Sequence, residues 1–290
     1  MKVLVKDLHY ADSGINDLLW YVSKLSKNEE LVFDFSQFRY LRPDVVILLI
    51  SVCKMWHEKT DSAVRWKGLH SRVMYYLDCI NIRSVEFIQV ENRPFTKFAG
   101  QLKEKRIYQN IIPLQIIREP SQLTAIIKDT TEKMTQWFPE RVQDGFLLDV
   151  KNIVMEVVGN SLEHSVADPE NERPTCYFTA QKYQTEGKPA KVILALGDLG
   201  IGIAGSLGRG RRPFGTDAAA IRKALFDGWS SREGFGGLGL QTVSAAVRKS
   251  GGQITIRSGT GSVRYIPQRN IKSDQTYRHS LIGTQTSLIL

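Results

Sequence analysis

The sequence has little of what marks secreted, membrane-spanning or disulfide-rich proteins. Its 290 residues include three cysteines, and no two of them form a C-x-x-C pair. This argues against a disulfide framework and against a zinc ribbon. The longest strongly apolar run, at 45–53, has about half the length that a bilayer-spanning helix needs. The first ten residues also lack an apolar signal core. We therefore expect a cytoplasmic protein with no membrane partner.

Long runs of like charge are absent as well. The net charge is +9, from 39 basic and 30 acidic residues, yet no five basic residues stand in a row. Scattered basic residues suit a solvated surface, and they give weak support for a nucleic-acid partner. The motif G-x-x-x-x-G-K-[ST] does not occur, which excludes a P-loop NTPase.

The length of the chain indicates about two folded domains, because domains average roughly 150 residues. Alternating strand-like and helix-like segments over 1–90 predict a small α/β domain. Residues 91–119 are assigned to a connecting segment, and 120–290 has the pattern of an α+β domain. In that domain we expect helices over 121–137, 142–165, 216–228 and 238–251, and strands over 176–183, 191–198, 252–259 and 282–290.

The first segment with possible chemistry is EVVGNSLEHS, at 156–165. On a helix, Glu156 and Asn160 share one face because they are four residues apart. A carboxylate and a carboxamide placed in this way can orient a water and contribute an oxygen ligand to Mg²⁺. The alternative is the solvent-facing side of an ordinary amphipathic helix.

The second segment, LALGDLGIGIAGSLG at 194–208, runs from an apolar strand into a carboxylate, Asp198, followed by Gly200 and Gly202. Such a carboxylate can accept a hydrogen bond from an exocyclic amine, and the glycines allow close approach of a ring or phosphate. Gly200, Gly202 and Gly205 also spell G-x-G-x-x-G, but a dinucleotide fold needs a helix directly afterwards. The continuation GSLGRGRRPFG disfavours one.

The third segment, GFGGLGLQTVSAAVRKSGG at 234–252, opens a helix with glycines, and helix N-terminal amides suit an anion. The preceding DGWSSRE is not strand-like, so we predict a phosphate-binding glycine loop and not a dinucleotide fold. A fourth segment, GTQTSLIL, supplies Thr284 at the start of the last strand.

Taken in this order, the segments resemble those of the GHKL superfamily, the Bergerat-type ATP-binding fold of histidine kinases, the gyrase B subunit, ninety-kilodalton heat-shock chaperones, mismatch-repair ATPases and anti-sigma serine kinases. EVVGNSLEHS is similar to the Asn box, DLGIGI to the first glycine box, and GFGGLGL to the second. GGQITIRS is similar to the turn that follows. The resemblance covers about 140–290 and implies an α/β sandwich with a mixed sheet.

The resemblance also implies roles for individual residues. Asn160 would ligate Mg²⁺, Asp198 would accept the adenine amine with Thr284 supporting it through water, and 204–235 would be a flexible ATP lid. Glu156 would be the catalytic base that activates the attacking water or hydroxyl. The implied cofactor-binding positions are Asn160, Asp198, Gly200, Gly202, Ile203, Gly236, Gly237, Leu238, Gly239, Leu240 and Thr284.

The N-terminal part, with ELVFDFSQFRYLRPDVVILL and GLHSRVMYYLDCINI, resembles the STAS or anti-sigma-antagonist fold. Phosphorylatable members carry Asp-Ser-Ser-Gly at the turn that opens the helix. Here the matching residues are Arg42, Pro43, Asp44 and Val45, so the acceptor serine is missing. The resemblance then implies a scaffold or sensor, and an unrelated small α/β domain is the alternative.

Three functions follow from these interpretations. The first is an ATPase whose lid closure over 204–235 acts as a switch on a protein partner or on self-association. The second is an anti-sigma-type kinase that phosphorylates a serine or threonine of a partner. The third is a nucleotide-binding interaction module without hydrolysis.

Overall fold

The computed structural model describes residues 2–4, 14–91, 109–164, 174–208, 214–230 and 238–290. Its strands are β1 (Lys2–Leu4), β2 (Val32–Asp34), β3 (Val64–Lys67), β4 (Ile88–Val90), β5 (Ile111–Ile117), β6 (Cys176–Tyr183), β7 (Lys191–Asp198), β8 (Gln253–Ile266) and β9 (Ile271–Ile289). Its α-helices are α1 (Ile15–Lys24), α2 (Pro43–Thr60), α3 (Ser71–Cys79), α4 (Leu123–Trp137), α5 (Phe146–His164), α6 (Gly202–Gly208), α7 (Asp217–Phe226) and α8 (Leu238–Ser250). Short 3₁₀ turns occupy Ile82–Ser84, Pro120–Gln122, Pro139–Asp144 and Pro267–Arg269.

The N-terminal half forms a parallel sheet in the order β1–β2–β3–β4, connected by helices. This confirms the expected small α/β arrangement. Its longest helix, α2, begins at Pro43, whose missing N–H is not needed in a first helical turn. The helix ends at Asp61, which adopts a left-handed conformation with φ of 55°.

The C-terminal half forms a five-stranded sheet in the order β5–β6–β7–β9–β8, with helices packed on it. The α+β class is therefore confirmed. The expectation of a mixed sheet is wrong for the described strands, because each of their pairings is antiparallel. Strand β5, from the expected connecting segment, lies at the edge of this sheet beside β6.

Two expected element boundaries differ from the structure. Strands β8 and β9 continue well beyond 252–259 and 282–290 as a long hairpin, with register shifts near Gly259 and Gly261. A side chain at Gly261 would collide with the backbone of Ala218, so this glycine lets α7 lie directly on the hairpin. The glycine-rich stretch expected to resist helix formation begins with helix α6.

Strand β7 is buried on both faces over most of its length. Side chains alternate between faces along a strand, and Val192, Leu194 and Leu196 pack into the core formed with α4, α5, α7 and α8. Ala195 belongs to the other core, which contains α1, α2 and α3. The C-terminal sheet is thus covered on both sides.

Helix α2 forms most of the contact between the two halves, and α1 adds to it by packing on β9. Helix α2 packs on β6, β7 and β9 of the antiparallel sheet as well as on β3 of the parallel one. A Cβ at Gly197 would lie 2.5 Å from Ile47 Cγ2, and the Gln285 amide donates to the buried Ser51 hydroxyl at 2.8 Å. The two sheets therefore share one buried helix.

All three cysteines are buried free thiols. Burial raises the pKa of Cys53 and of Cys176 well above the usual range of a thiol, so both stay protonated at neutral pH and are poor nucleophiles.

Among the described residues, no helix is both long and apolar enough to cross a bilayer.

Substituting Gly197 by alanine tests the fit between α2 and β7. The added methyl overlaps Ile47, so we expect Gly197→Ala to lower the free energy of unfolding by about 1–3 kcal/mol. In an Ile47→Ala background the same substitution should cost much less, because the colliding methyl is gone. Denaturant titration of the four proteins measures the difference.

Gly159→Ala is the matched control, since no heavy atom lies within 4 Å of its added Cβ. Position 159 is inside α5, where alanine is favoured over glycine by about 1 kcal/mol. Equal destabilisation by Gly197→Ala in both backgrounds would contradict the proposed contact.

Candidate functional site

A pocket opens where β7 ends, on the side of the C-terminal sheet that carries α5, α7 and α8. Its empty volume is about 910 Å³, part of it continuous with solvent. Of the residues singled out from the sequence, those that line it are Glu156, Asn160, Asp198, Gly202, Ile203, Gly239, Leu240 and Thr284. The structure therefore brings the four segments together around one cavity.

The remaining cofactor-binding positions are placed differently. Gly200 is not among the lining residues, and its N–H donates to Asp198 Oδ1 at 3.1 Å. Leu238 is 67% exposed and is not among the lining residues. Gly236 and Gly237 lie outside the described residues.

Asp198 is the most buried carboxylate of the site, with 5% exposure. Strand alternation turns it to the same face as Leu196, and therefore toward the pocket. Its Oδ1 accepts backbone N–H groups from Gly200 and from Thr284, the second at 3.0 Å. Its Oδ2 accepts the Ser161 hydroxyl at 3.3 Å. Because a carboxylate oxygen can accept two hydrogen bonds, Oδ2 keeps capacity for a donor in the pocket.

Desolvation by burial raises the pKa of Asp198 to about 6, although these three hydrogen bonds oppose the shift. The carboxylate is thus mostly ionised at neutral pH, in surroundings that penalise its charge. A ligand N–H donor bound in the pocket would reduce that penalty.

The Ser258 hydroxyl of β8 connects the segment at 194–208 to the last strand, β9. Ser258 Oγ accepts the backbone N–H of Ile203 at 2.8 Å and donates to the Gly283 carbonyl at 3.2 Å. It also lies 3.3 Å from Thr284 Oγ1. Gly202 has a φ of 73°, and a Cβ there would lie 2.5 Å from Ser258 Oγ, so this backbone approach requires glycine.

On the opposite wall, helix α5 presents Glu156 and Asn160 to the start of helix α8. A Cβ at Gly239 would overlap Glu156 Oε2 and lie 3.5 Å from Asn160 Nδ2. The expectation that Glu156 and Asn160 share a helix face is therefore confirmed. The missing side chain at Gly239 lets the Glu156 carboxylate lie directly against the first turn of α8.

Sequence reasoning missed several residues that form this pocket. Ser161 is 5% exposed and continues the apolar stripe of Val154 and Val157 along α5, so a polar residue in that stripe was the available signal. Trp229 and Ser230 also line the pocket. No sequence pattern distinguished them from an ordinary loop.

The segment expected to be a lid, 204–235, contains regular structure where it is described. Helix α7 is capped by the Thr216 hydroxyl, which accepts the Ala219 N–H at 3.1 Å. Phe214 packs against Trp229 with ring centroids 5.5 Å apart. Four basic residues of this segment lie outside the described residues, namely Arg209, Arg211, Arg212 and Arg232.

In the described part of the chain, no group of three or more His, Cys, Asp or Glu side chains is placed to hold a metal ion. A cation at Asn160 would therefore take most of its ligands from a bound phosphate group and from water, as Mg²⁺ often does.

Compared with family models, curated proteins and solved structures, the chain shows no significant match. The site is accordingly interpreted from its own residues.

The burial of Asp198 predicts a specific pH dependence of stability. The folded state holds this proton with a pKa of about 6, against an ordinary value of 3.8. The folded form therefore binds more protons between these values, and the Asp198 contribution to stability falls as pH rises from about 4 to 6, by up to roughly 3 kcal/mol. Asp198→Asn removes the ionisation, so the free energy of unfolding of the variant relative to wild type should increase over this pH range.

Asp217→Asn serves as the control, because that half-buried carboxylate lies outside the pocket and accepts hydrogen bonds from Thr260 N and Oγ1, each at 2.7 Å. Asp217→Asn should lower the free energy of unfolding at neutral pH, because hydrogen bonds to the carboxylate are weakened. By contrast, the effect of Asp198→Asn on the free energy of unfolding should be more favourable at neutral pH than at pH about 4. Thermal denaturation across this pH range measures both. Parallel pH curves for wild type and Asp198→Asn would contradict the assigned burial effect.

Proposed function

We propose that residues 120–290 bind Mg·ATP in this pocket and hydrolyse it, and that nucleotide binding acts as a switch. The observation that carries the proposal is the meeting of four separate segments around one cavity. A buried carboxylate stands at one end, and a helix start faces Glu156 and Asn160 at the other.

The Asp198 end of the pocket suits a flat heterocycle with an amino group. The free acceptor capacity of Asp198 Oδ2 matches an exocyclic N–H donor, and Thr284 supplies a hydroxyl beside it. Apolar side chains complete this part of the wall, namely Val157, Ile203, Leu207, Leu240 and Ile256. Adenine fits both requirements, since it is planar and presents an amino group.

The other end suits the phosphate chain. Helix α8 begins at Leu238, and backbone N–H groups at a helix start favour anions. Gly239 in the first turn of α8 and Asn160 both line the pocket. Mg²⁺ would be held by the Asn160 side-chain oxygen together with phosphate oxygens, and it would offset part of the phosphate charge.

Glu156 is the general base in this proposal. Its carboxylate lines the pocket beside Gly239, on the same helix face as Asn160. In the proposed reaction it accepts a proton from water while the water oxygen bonds to the γ-phosphorus and the bond to the bridging oxygen breaks. ADP and phosphate are the products. A carboxylate in this role contributes about 10²–10⁴-fold to the rate.

The proposed switch involves 204–235, because Trp229 and Ser230 from this segment line the pocket. A nucleotide that contacts them would favour one arrangement of the segment over others. The resulting surface would act on a protein partner or on a second copy of the chain.

Removing the Asp198 charge tests the adenine assignment. Asp198→Asn should weaken ATP binding about tenfold or more, since a hydrogen bond to a charged group is lost. Calorimetric titration with ATP measures this. Asp274→Asn removes an exposed carboxylate that pairs with Arg222 and should leave affinity unchanged. Equal ATP affinity of wild type and Asp198→Asn would overturn the assignment.

Following γ-labelled ATP tests hydrolysis. Phosphate release should fall about 10²–10⁴-fold in Glu156→Gln, whereas ATP affinity should change little. Glu132→Gln, on the exposed face of α4, is the matched control. If wild type binds ATP but all label stays on the nucleotide, the proposal that the protein hydrolyses ATP is wrong. Addition of candidate partner proteins then tests whether the γ-phosphate is transferred to a serine or threonine.

A further inference from the structure

A second cleft lies at the opposite end of the antiparallel sheet from the nucleotide pocket. It is bounded by the start of α2, the turn before β7, the turn between α8 and β8, and the turn between β8 and β9, and its empty volume, open to solvent, is about 1600 Å³. Lys191 at the start of β7 lines this cleft, whereas Asp198 at the end of β7 lines the pocket. At about 3.3 Å per residue, the two ends are roughly 23 Å apart.

The lining of this cleft is strongly basic. Among the described residues it contains one acidic side chain, Asp44, which already pairs with Arg42 through two hydrogen bonds of 3.0 and 2.9 Å. The basic side chains are Arg42, Arg141, Lys191, Arg257, Arg264 and Arg269. These come from distant parts of the chain, so the fold concentrates charge that the sequence distributes.

Two of these arginines are well placed to receive a ligand. Arg264 donates from Nη2 to Gln253 Oε1 at 3.2 Å, which fixes its guanidinium, while its buried Nε has no hydrogen-bond partner in the described structure. Arg269 projects from the exposed turn at the rim. Arg264 lines the cleft, and Gln253 uses one of its terminal N–H groups, so the guanidinium has further terminal N–H donors for an anionic oxygen.

The remaining lining indicates the kind of anion. The hydroxyl residues Thr255 and Ser287 and the glycine turn 251–252 line the cleft, but no aromatic side chain from the described residues does. Recognition of single-stranded nucleic acid usually uses aromatic rings on which bases stack. Guanidinium groups with hydroxyls instead match the oxygens of phosphate groups.

We propose that this cleft is a second ligand site, separate from the nucleotide pocket, that binds a small anion with several phosphate groups. Arg264 contacts the phosphate oxygens inside the cleft, and Arg269 contributes at its rim. The proposal does not depend on ATP binding, because no residue lines both cavities.

Calorimetric titration with inorganic tripolyphosphate tests the proposal on the full chain. Arg264→Gln keeps a donor for Gln253 but removes the charge, and it should lower tripolyphosphate affinity about tenfold. Arg269→Gln, a surface change that leaves the fold intact, should lower it about two- to fivefold. Arg222→Gln removes the same charge outside the cleft and should have no effect. Circular dichroism checks that each variant is folded.

Repeating the titration with Asn160→Ala, which changes the phosphate end of the nucleotide pocket and not the cleft, separates the two sites, and binding in the cleft should persist in that variant. The proposal is wrong if wild type does not bind tripolyphosphate, or if Arg264→Gln and Arg269→Gln bind it as tightly as Arg222→Gln does. The proposed class of ligand is wrong if a short single-stranded oligonucleotide binds the cleft more tightly than tripolyphosphate does.

Discussion

The arrangement of this protein depends on one strand that is buried on both faces. Consecutive residues of β7 point in opposite directions, so Gly197 and Asp198 serve different halves of the molecule. Gly197 leaves space for Ile47 of helix α2, and Asp198 enters the pocket with hydrogen bonds from Gly200 and Thr284. A one-residue slip of β7 would exchange these faces and destroy both contacts. The register of one strand therefore fixes the domain contact and the site together.

The sequence was sufficient for elements whose pattern is local. Strands β6 and β7 have the expected bounds, and Pro43 begins helix α2 as expected. Helix α6 was missed because its glycines disfavour a helix in isolation, whereas Ser258 Oγ satisfies the N–H of Ile203 in its first turn. The long hairpin of β8 and β9 was missed because its outer part is polar and is stabilised by α7. Both errors come from contacts between distant segments.

The candidate site was predictable to the extent that spacing and strand alternation specify it. Glu156 and Asn160 share a helix face for reasons visible in the sequence, and Asp198 follows the inward positions of β7. Trp229 was not found because no sequence pattern distinguishes it from an ordinary loop residue. Ser161 and Ser258 were not found because each acts through a partner far away in the chain. The basic cleft could not be predicted from the sequence for the same reason. It gathers Arg42, Arg264 and other cations from separate turns.

The burial of α2 between two sheets has a consequence for dissecting the protein. A fragment that began at residue 120 would lack β5, and so would leave the edge of β6 unpaired. It would also uncover the face on which Ala195 and Leu281 pack against the N-terminal half. An open strand edge beside an exposed apolar face favours self-association. Such a fragment would tend to aggregate, so shortened versions of this protein should keep α2 and β5.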